Sequence, residues 1–422
     1  MFLINPDFIL TENGIEQNRV VLFDETILKI DSLENIQKSE IFVKNQNKIQ
    51  KIETVKNSLL MPSLINAHIH LEFSKNRTEL KYGNFVNWLF SVISNREKLV
   101  NSCDSDCLEK NINYILSTGA TTIGAISSFG KELEILANSK IRSIIFNEII
   151  GSDETKADEI WKYFSERLDF TENLKAKNPK KFVPAIAIHS PYSVTKNLIL
   201  KALEVAKNRN YLVSSHFAES SAEKEWLNSS SGEFVSFFKT IFNRKKSFHT
   251  SSEFLNYFDK NKTLFTHSNY ATNEELEKFK KFGHSVSSCP TSNRLLTNSK
   301  LNIKKLNDLN ILWNVSTDGL SSNHDLNLWN ELRNAFFIHS DNFQENINDF
   351  SLQLLKSVTE TPAKQLKLNN GILKESKDSD LLLIELKDDF DSKNLSEIPL
   401  HLILKNYPIQ KIFILGEELK NG

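Results

Sequence analysis

Apolar and polar positions follow two different rhythms along this chain. Over residues 1–60 the apolar residues come in short runs, FLINPDFIL, RVVLFD, TILKID, EIFVKN and SLLMP, separated by charged turns. Branched and aromatic residues in runs of this length predict β-strands. The C-terminal stretch 366–422 returns to the same style with SDLLLIEL, HLILKN and KIFILGEEL. Two β-rich ends around a different middle predict one small β-sandwich domain assembled from both termini.

The middle, 61–365, alternates short apolar runs with amphipathic helical stretches such as FVNWLFSVISNREKLV and NLILKALEVAKNR. That alternation is the pattern of β-strands each followed by a helix in a parallel sheet. Eight strands are predicted, ending near Ile69, Ile126, Ile150, Ile188, Ser215, Thr266, Ser288 and Thr317. Eight such units in about 300 residues predict an α/β fold of the (β/α)8 TIM-barrel type. An open doubly wound sheet would want a glycine-rich phosphate turn, and no G-x-G-x-x-G or Walker loop is present.

Composition narrows the setting. The chain has 422 residues, 52 Lys and Arg against 53 Asp and Glu, 40% hydrophobic residues and three cysteines. A near-zero net charge gives no general case for nucleic-acid binding, which needs positive charge facing phosphates. No stretch approaches 18 apolar residues without charge, so no membrane span is expected. The opening MFLINPDFILTENG lacks the basic start and unbroken apolar core of a signal peptide. Three cysteines make no disulfide framework, and the expected compartment is the reducing cytoplasm.

In a barrel of this kind the chemistry sits at the C-terminal ends of the strands. His68 and His70 stand at the first strand end, His189 at the fourth, His216 at the fifth, His267 at the sixth and Asp318 at the eighth. Five of ten histidines thus share one rim. A lone histidine is usually a hydrogen-bonded structural residue, but five at one register of different strands are not explained that way. In His68-Ile69-His70 the period of two puts both imidazoles on one face of a strand. His216 and Asp318 would add a nitrogen and an oxygen, a set suited to Zn²⁺, or to Fe²⁺ at a less selective site, with room left for water. Glu219 follows three residues after His216, where strand turns into helix. A first-turn glutamate is common; beside a metal-activated water it is also the natural proton shuttle. His267 is expected to steady the attacking oxygen from the other side.

These residues carry a resemblance. MPSLINAHIHLE, SSHFAES, FTHSNY, SSCPTSN and NVSTDGLSSN resemble the successive strand-end motifs of the amidohydrolase superfamily, in the branch of triazine chlorohydrolases, guanine deaminase and adenosine-type deaminases. The resemblance spans essentially the whole chain. It implies His68, His70, His216 and Asp318 as metal ligands, with Glu219, His267 and Asp318 catalytic. Two-metal members carry a carboxylated lysine at the end of strand four; here AIHSPY offers His189 instead, which implies one metal and a substrate contact for His189. Within the branch, AIHSPYSVT, SSHFAESSAE and SSCPTSNRLL are most similar to the aminodeoxyfutalosine deaminases. The implied reaction replaces the 6-amino group of an adenine nucleoside by oxygen and releases ammonia, on 6-amino-6-deoxyfutalosine of the futalosine route to menaquinone. Alternatives in the same branch act on S-adenosylhomocysteine or methylthioadenosine, guanine, or a triazine. A non-catalytic scaffold of the same fold would be expected to lose ligands, and all are present here.

Other candidates are weaker. Glu72 and Glu148 lie near the rim and are expected to bind substrate, although solvated or structural glutamates are as common. Arg294 fits an ordinary surface arginine, and Cys289 a buried small residue. Cys103 and Cys107, without a second pair, make no zinc site. No G-x-S-x-G is present, so a serine hydrolase is not expected. The partner is a small purine nucleoside, neither nucleic acid nor membrane, with a homodimer left open.

Overall fold

A computed structural model of the chain describes residues 1–49, 51–75, 77–387, 390 and 394–419. The chain forms two compact units, one of residues 1–65, 115–122 and 328–422, the other of 66–114 and 123–327.

In the first unit the N-terminal strands are β1 (Phe2–Thr11), β2 (Gly14–Gln17), β3 (Val20–Phe23), β4 (Ile27–Asp31) and β5 (Lys51–Pro62). The barrel strands of the chain are β6 (Leu64–Ile69), β7 (Ala120–Ser127), β8 (Arg142–Ile149), β9 (Phe182–Ile188), β10 (Val213–Phe217), β11 (Thr263–His267), β12 (Ser285–Ser288) and β13 (Trp313–Val315). The C-terminal strands are β14 (Leu381–Glu385), β15 (Ile409–Ile414) and β16 (Glu417–Glu418).

Both termini contribute to one mixed sheet, in the order β16-β15-β14-β5-β1-β3-β4 with β2 on β1. The sheet folds over on itself. Phe413 of β15 meets Phe23 of β3 at 5.1 Å between ring centroids, although three strands separate them along the sheet. The continuous apolar run VVLF of β3 has a reason. Val21 and Phe23 join the inner core with Ile4, Ile9 and Leu383, while Val20 and Leu22 pack under Ile36 and Phe42 on the other face.

Two expected strands are helices instead. EIFVKN is a helix at Glu40–Asn45, where Ser39 caps the start by accepting the Phe42 N–H at 3.3 Å. Phe42 is buried and Val43 is 61% exposed, so only one side of that turn is covered. HLILKN belongs to a helix at Ile398–Leu404 with Pro399 in its first turn, burying Ile398, Leu402 and Ile403 at helical spacing. Apolar runs this short carry no decisive period, and capping and neighbours decide. The amphipathic stretch from Phe85 is likewise broken into Phe85–Ser94 and Arg96–Ser102.

The eight barrel strands are neighbours in sequence order, β6 to β13. They end where the apolar pattern placed them, within one or two residues. The circle closes through the segment after β13: Asn66 Nδ2 donates to Thr317 Oγ1 at 2.7 Å, and the Asp318 N–H reaches the His68 carbonyl at 3.2 Å. Gly124 lets β7 approach β6, since a Cβ there would lie 2.3 Å from the Ala67 carbonyl oxygen. Among the described residues no helix is long and apolar enough to cross a membrane. Cys103 and Cys107, in a chain whose cysteines suggested no disulfide framework, form a disulfide between the helix ending at Ser102 and that beginning at Ser105.

Candidate active site

Strand period and barrel register bring six of the expected residues to one place. The Nε2 atoms of His68 and His70 each lie 3.6 Å from Asp318 Oδ1, and His70 Nε2 lies 3.4 Å from His216 Nε2. Two of the imidazoles are steadied through their outer nitrogens. His216 Nδ1 donates to the His189 carbonyl at 2.8 Å, which leaves the Nε2 lone pair pointing inward. His68 Nδ1 pairs with the Thr266 hydroxyl at 3.1 Å, while its buried Nε2 has no hydrogen-bond partner among the described residues. Asp318 is held by the hydroxyls of Ser292 and Ser322 on Oδ2 and by the Gly319 amide on Oδ1, at 2.8, 2.8 and 2.9 Å.

The electrostatics follow from burial. Desolvation, with the neighbouring His68 imidazole, pushes His70 down to about 3 and holds His216 well below the usual histidine range. Both are therefore neutral near pH 7, with lone pairs available. Burial alone would raise Asp318, but the His68 and His70 imidazoles that face its Oδ1 outweigh it and hold the carboxyl well below its ordinary range. Three imidazoles and one carboxylate converging with an orphaned inward nitrogen fit a divalent cation. Donor atoms of His68, His70 and Asp318 lie within 4.8 Å of one another, as do those of His68, His216 and His267.

Glu219 is buried beside this cluster, with Oε1 3.3 Å from His267 Nε2. Burial first, then the Asp318 and Glu223 charges, raise its carboxyl well above the usual range. His267 turns its Nδ1 to Asn293 Oδ1 at 2.8 Å, and burial lowers the ring to about 4. Three residues at these strand ends, Ala218, His267 and Asp318, adopt left-handed backbone at φ 50°, 70° and 61°. Such conformations are uncommon outside glycine and concentrate where function holds them.

His189 borders the cluster, its ring 5.2 Å from that of His216. Its Nδ1 is tied to Ser193 Oγ at 2.6 Å and Ser190 Oγ at 3.0 Å. Glu148 reaches the same border: a carboxylate oxygen and the donor nitrogens of His189 and His216 lie within 4.8 Å of one another. Its Oε2 accepts from Ser128 Oγ at 2.6 Å, its Oε1 is buried without a hydrogen-bond partner among the described residues, and burial pushes the carboxyl up to about 7.

Glu72 and Arg294 make contacts outside the cluster, Arg294 as the surface arginine it was read to be. Glu72 turns to the loop after β7, where its oxygens accept the amides of Ser128, Phe129 and Gly130 at 2.8–2.9 Å. Those bonds tie Glu72 to that loop. Arg294 is exposed and bonds to the Asn298 carbonyl at the end of its own helix. Cys289, read as a small buried residue, is buried with its Sγ in reach of His267 and Asp318 donors. The supporting residues Ser292, Asn293, Ser322 and Glu223 escaped the sequence reading. The first two sit inside SSCPTSN and Ser322 inside NVSTDGLSSN, so the motifs held them without saying which atoms they serve.

Residues 59–419 match the Amidohydrolase family. The chain is 40% identical over 418 residues to aminodeoxyfutalosine deaminase of a Nitratiruptor species, covering 99% of each protein. It is 31% identical to an adenosine deaminase of Helicobacter pylori, covering 94% of each. The crystal structure of Helicobacter pylori aminofutalosine deaminase in complex with methylthio-coformycin superposes with a TM-score of 0.90 at 29% identity, covering all of both chains. With strand-end motifs, barrel and match in agreement, the chain belongs to the Amidohydrolase family.

Proposed function

We propose that this chain is a hydrolytic aminohydrolase that converts the 6-amino group of an adenine nucleoside to a 6-oxo group with release of ammonia, and that its substrate is 6-amino-6-deoxyfutalosine. The observation that carries the reaction class is the convergence of His68, His70, His216 and Asp318 beside the Glu219–His267 pair. The substrate rests on the full-length similarity to the Nitratiruptor deaminase.

His68, His70, His216 and Asp318 would hold one divalent metal, zinc with iron as the alternative. Such an ion supplies Lewis acidity and a water acidified toward neutrality. Glu219 takes a proton from water at its carboxylate and delivers it to ring N1, which makes C6 electrophilic. Burial raises its carboxyl above the usual range, which favours its carrying the proton between the two transfers. His267 Nε2 and the Asp318 carboxylate orient the oxygen that attacks C6. Glu219 then takes the remaining proton of the added hydroxyl and passes it to the 6-amino nitrogen; the C6–N bond breaks, and ammonia leaves with the 6-oxo purine behind. His189 and Glu148 line the substrate side: His189 Nδ1 is engaged by Ser193, which leaves Nε2 for the substrate, and Glu148 offers its uncommitted Oε1. The same reading takes 61–365 as the catalytic barrel and places the enzyme in the cytoplasm.

The second reading is a deaminase of a simpler adenine nucleoside, favoured by the 31% identity to the Helicobacter adenosine deaminase. A panel of 6-amino-6-deoxyfutalosine, adenosine, methylthioadenosine, S-adenosylhomocysteine and guanine, offered to metal-loaded protein with ammonia as readout, separates them. Highest kcat/KM on 6-amino-6-deoxyfutalosine is the expected result. Preference for adenosine transfers the assignment to the second reading, and activity on guanine alone removes both.

A further inference from the structure

Among the described residues the S/T-x-x-E pattern caps three helices that follow barrel strands, and one of the three behaves differently. Thr250 with Glu253, and Thr272 with Glu275, form ordinary reciprocal caps in which the glutamate reaches back to the amide of the capping threonine. Ser220 and Glu223 begin the same way, Ser220 Oγ accepting the Glu223 N–H at 3.1 Å. The Glu223 carboxylate then passes over the cap. Its Oε1 accepts the Ala218 N–H and its Oε2 the Glu219 N–H, each at 2.8 Å.

Those amides need a partner of this shape. β10 ends at Phe217, so the ladder no longer serves them, and the helix begins only at Ser221. Ala218 turns the chain in left-handed backbone at φ 50°, a conformation that alanine does not hold unaided. On the carbonyl side the turn is tied to the next strand end, with Tyr270 N–H on the Ala218 carbonyl at 3.0 Å and Ser268 N–H on the Phe217 carbonyl at 2.9 Å. Glu223 is fully buried, and the adjacent Lys224 pairs with Glu275. A buried carboxylate with two acceptor oxygens, spent on the amides on either side of the strained Ala218 Cα, fixes the backbone from which the Glu219 side chain leaves.

We propose that Glu223 is a positioning residue for the reaction: by clamping the amides of Ala218 and Glu219 it holds the Glu219 carboxylate against His267 and the reaction centre. The proposal rests on Glu219 carrying the proton. Glutamine at 223 offers one acceptor and would set its NH₂ against the other N–H; aspartate is one methylene too short to meet both. Misplacement of a reacting group by about 1 Å costs on the order of 100-fold in rate.

The test uses the full-length, metal-loaded protein and the best nucleoside of the panel above, with Glu223→Gln, Glu219→Gln and the double variant. Glu223→Gln is expected to lower kcat about 100-fold. KM stays within about threefold and metal content per chain is unchanged, because ground-state binding and the ligands are untouched. The double variant is expected to be no slower than Glu219→Gln within about threefold, since Glu223 acts only through Glu219. Should Glu223→Gln fail to fold, Glu223→Asp, which keeps the charge, is expected to show the same split with a loss of about tenfold. Undiminished kcat in the folded variant, or losses that multiply in the double variant, would overturn the positioning role. Full turnover by Glu219→Gln alone would overturn the assignment of Glu219 itself, whatever the Glu223 variants do.

Discussion

Asp318 is fixed on every side it presents. Two serine hydroxyls and one amide occupy its outward lone pairs, and two imidazoles face Oδ1. Outer partners of this kind set the orientation of a metal ligand, and losing one typically costs about 10–100-fold in metal affinity. Ser292→Ala is accordingly expected to weaken zinc binding by that factor in competition with a chromophoric chelator; unchanged affinity would mean that Ser322 and Gly319 suffice. Glu219→Gln is expected to lower kcat by about 10²–10⁴ with zinc content unchanged. The strand-end histidines, Glu219 and Asp318 were legible because strand period and barrel architecture jointly dictate where such residues point. The partners of Glu72 were not, because proximity in sequence to His70 says nothing about whether its lone pairs are spent on backbone amides. Glu223 was hidden for a related reason: an S-x-x-E string reads as a helix cap, and only coordinates reveal which amides the carboxylate reaches.

The strands impose their own demands. Gly124 has no room for a methyl group against the Ala67 carbonyl, so Gly124→Ala must spread β6 from β7 directly beneath His68. The expected cost is about 1–3 kcal/mol by chemical denaturation, together with weaker metal binding; a variant as stable as the parent would show that the strands can part freely. His284 serves the edge between β11 and β12, its Nδ1 accepting the Thr263 N–H at 3.2 Å. Burial lowers this histidine from 6.5 to about 4. Its folded pKa is depressed, so its contribution is complete above the unfolded value of 6.5 and is lost as pH falls toward 4. The slope is at most about 1.4 kcal/mol per pH unit. Denaturation curves at pH 7, 6 and 5 should converge for wild type and His284→Asn as pH falls, and parallel curves would contradict this. At this scale the barrel strands were legible because each is a buried apolar run bounded by polar ends. The helices at Glu40–Asn45 and Ile398–Leu404 were not, since a run of five or six residues fits either period and the cap or a proline settles it.

Across the whole molecule, the joining of both termini in one sheet was readable from the return of strand-like runs near the end of the chain. The sheet's order was not, because parallel pairing of β1 with β5 across a helical insert leaves no local mark. The His/Asp cluster also ties metal to fold. A cation held by neutral imidazoles and a carboxylate binds the native state alone, so zinc at about 100 times its dissociation constant should add about 2.7 kcal/mol of stability. A chelator should therefore lower the melting temperature and one equivalent of zinc per chain restore it, whereas two equivalents would contradict the single-metal assignment. Hydrolytic replacement of a 6-amino group at this cluster is read most directly by isotope transfer. With 6-amino-6-deoxyfutalosine in H₂¹⁸O, one ¹⁸O in the 6-oxo product and one ammonia per turnover are expected, with both forming about 10²–10⁴-fold more slowly in Glu219→Gln. Product without the label, or label without ammonia, would contradict it.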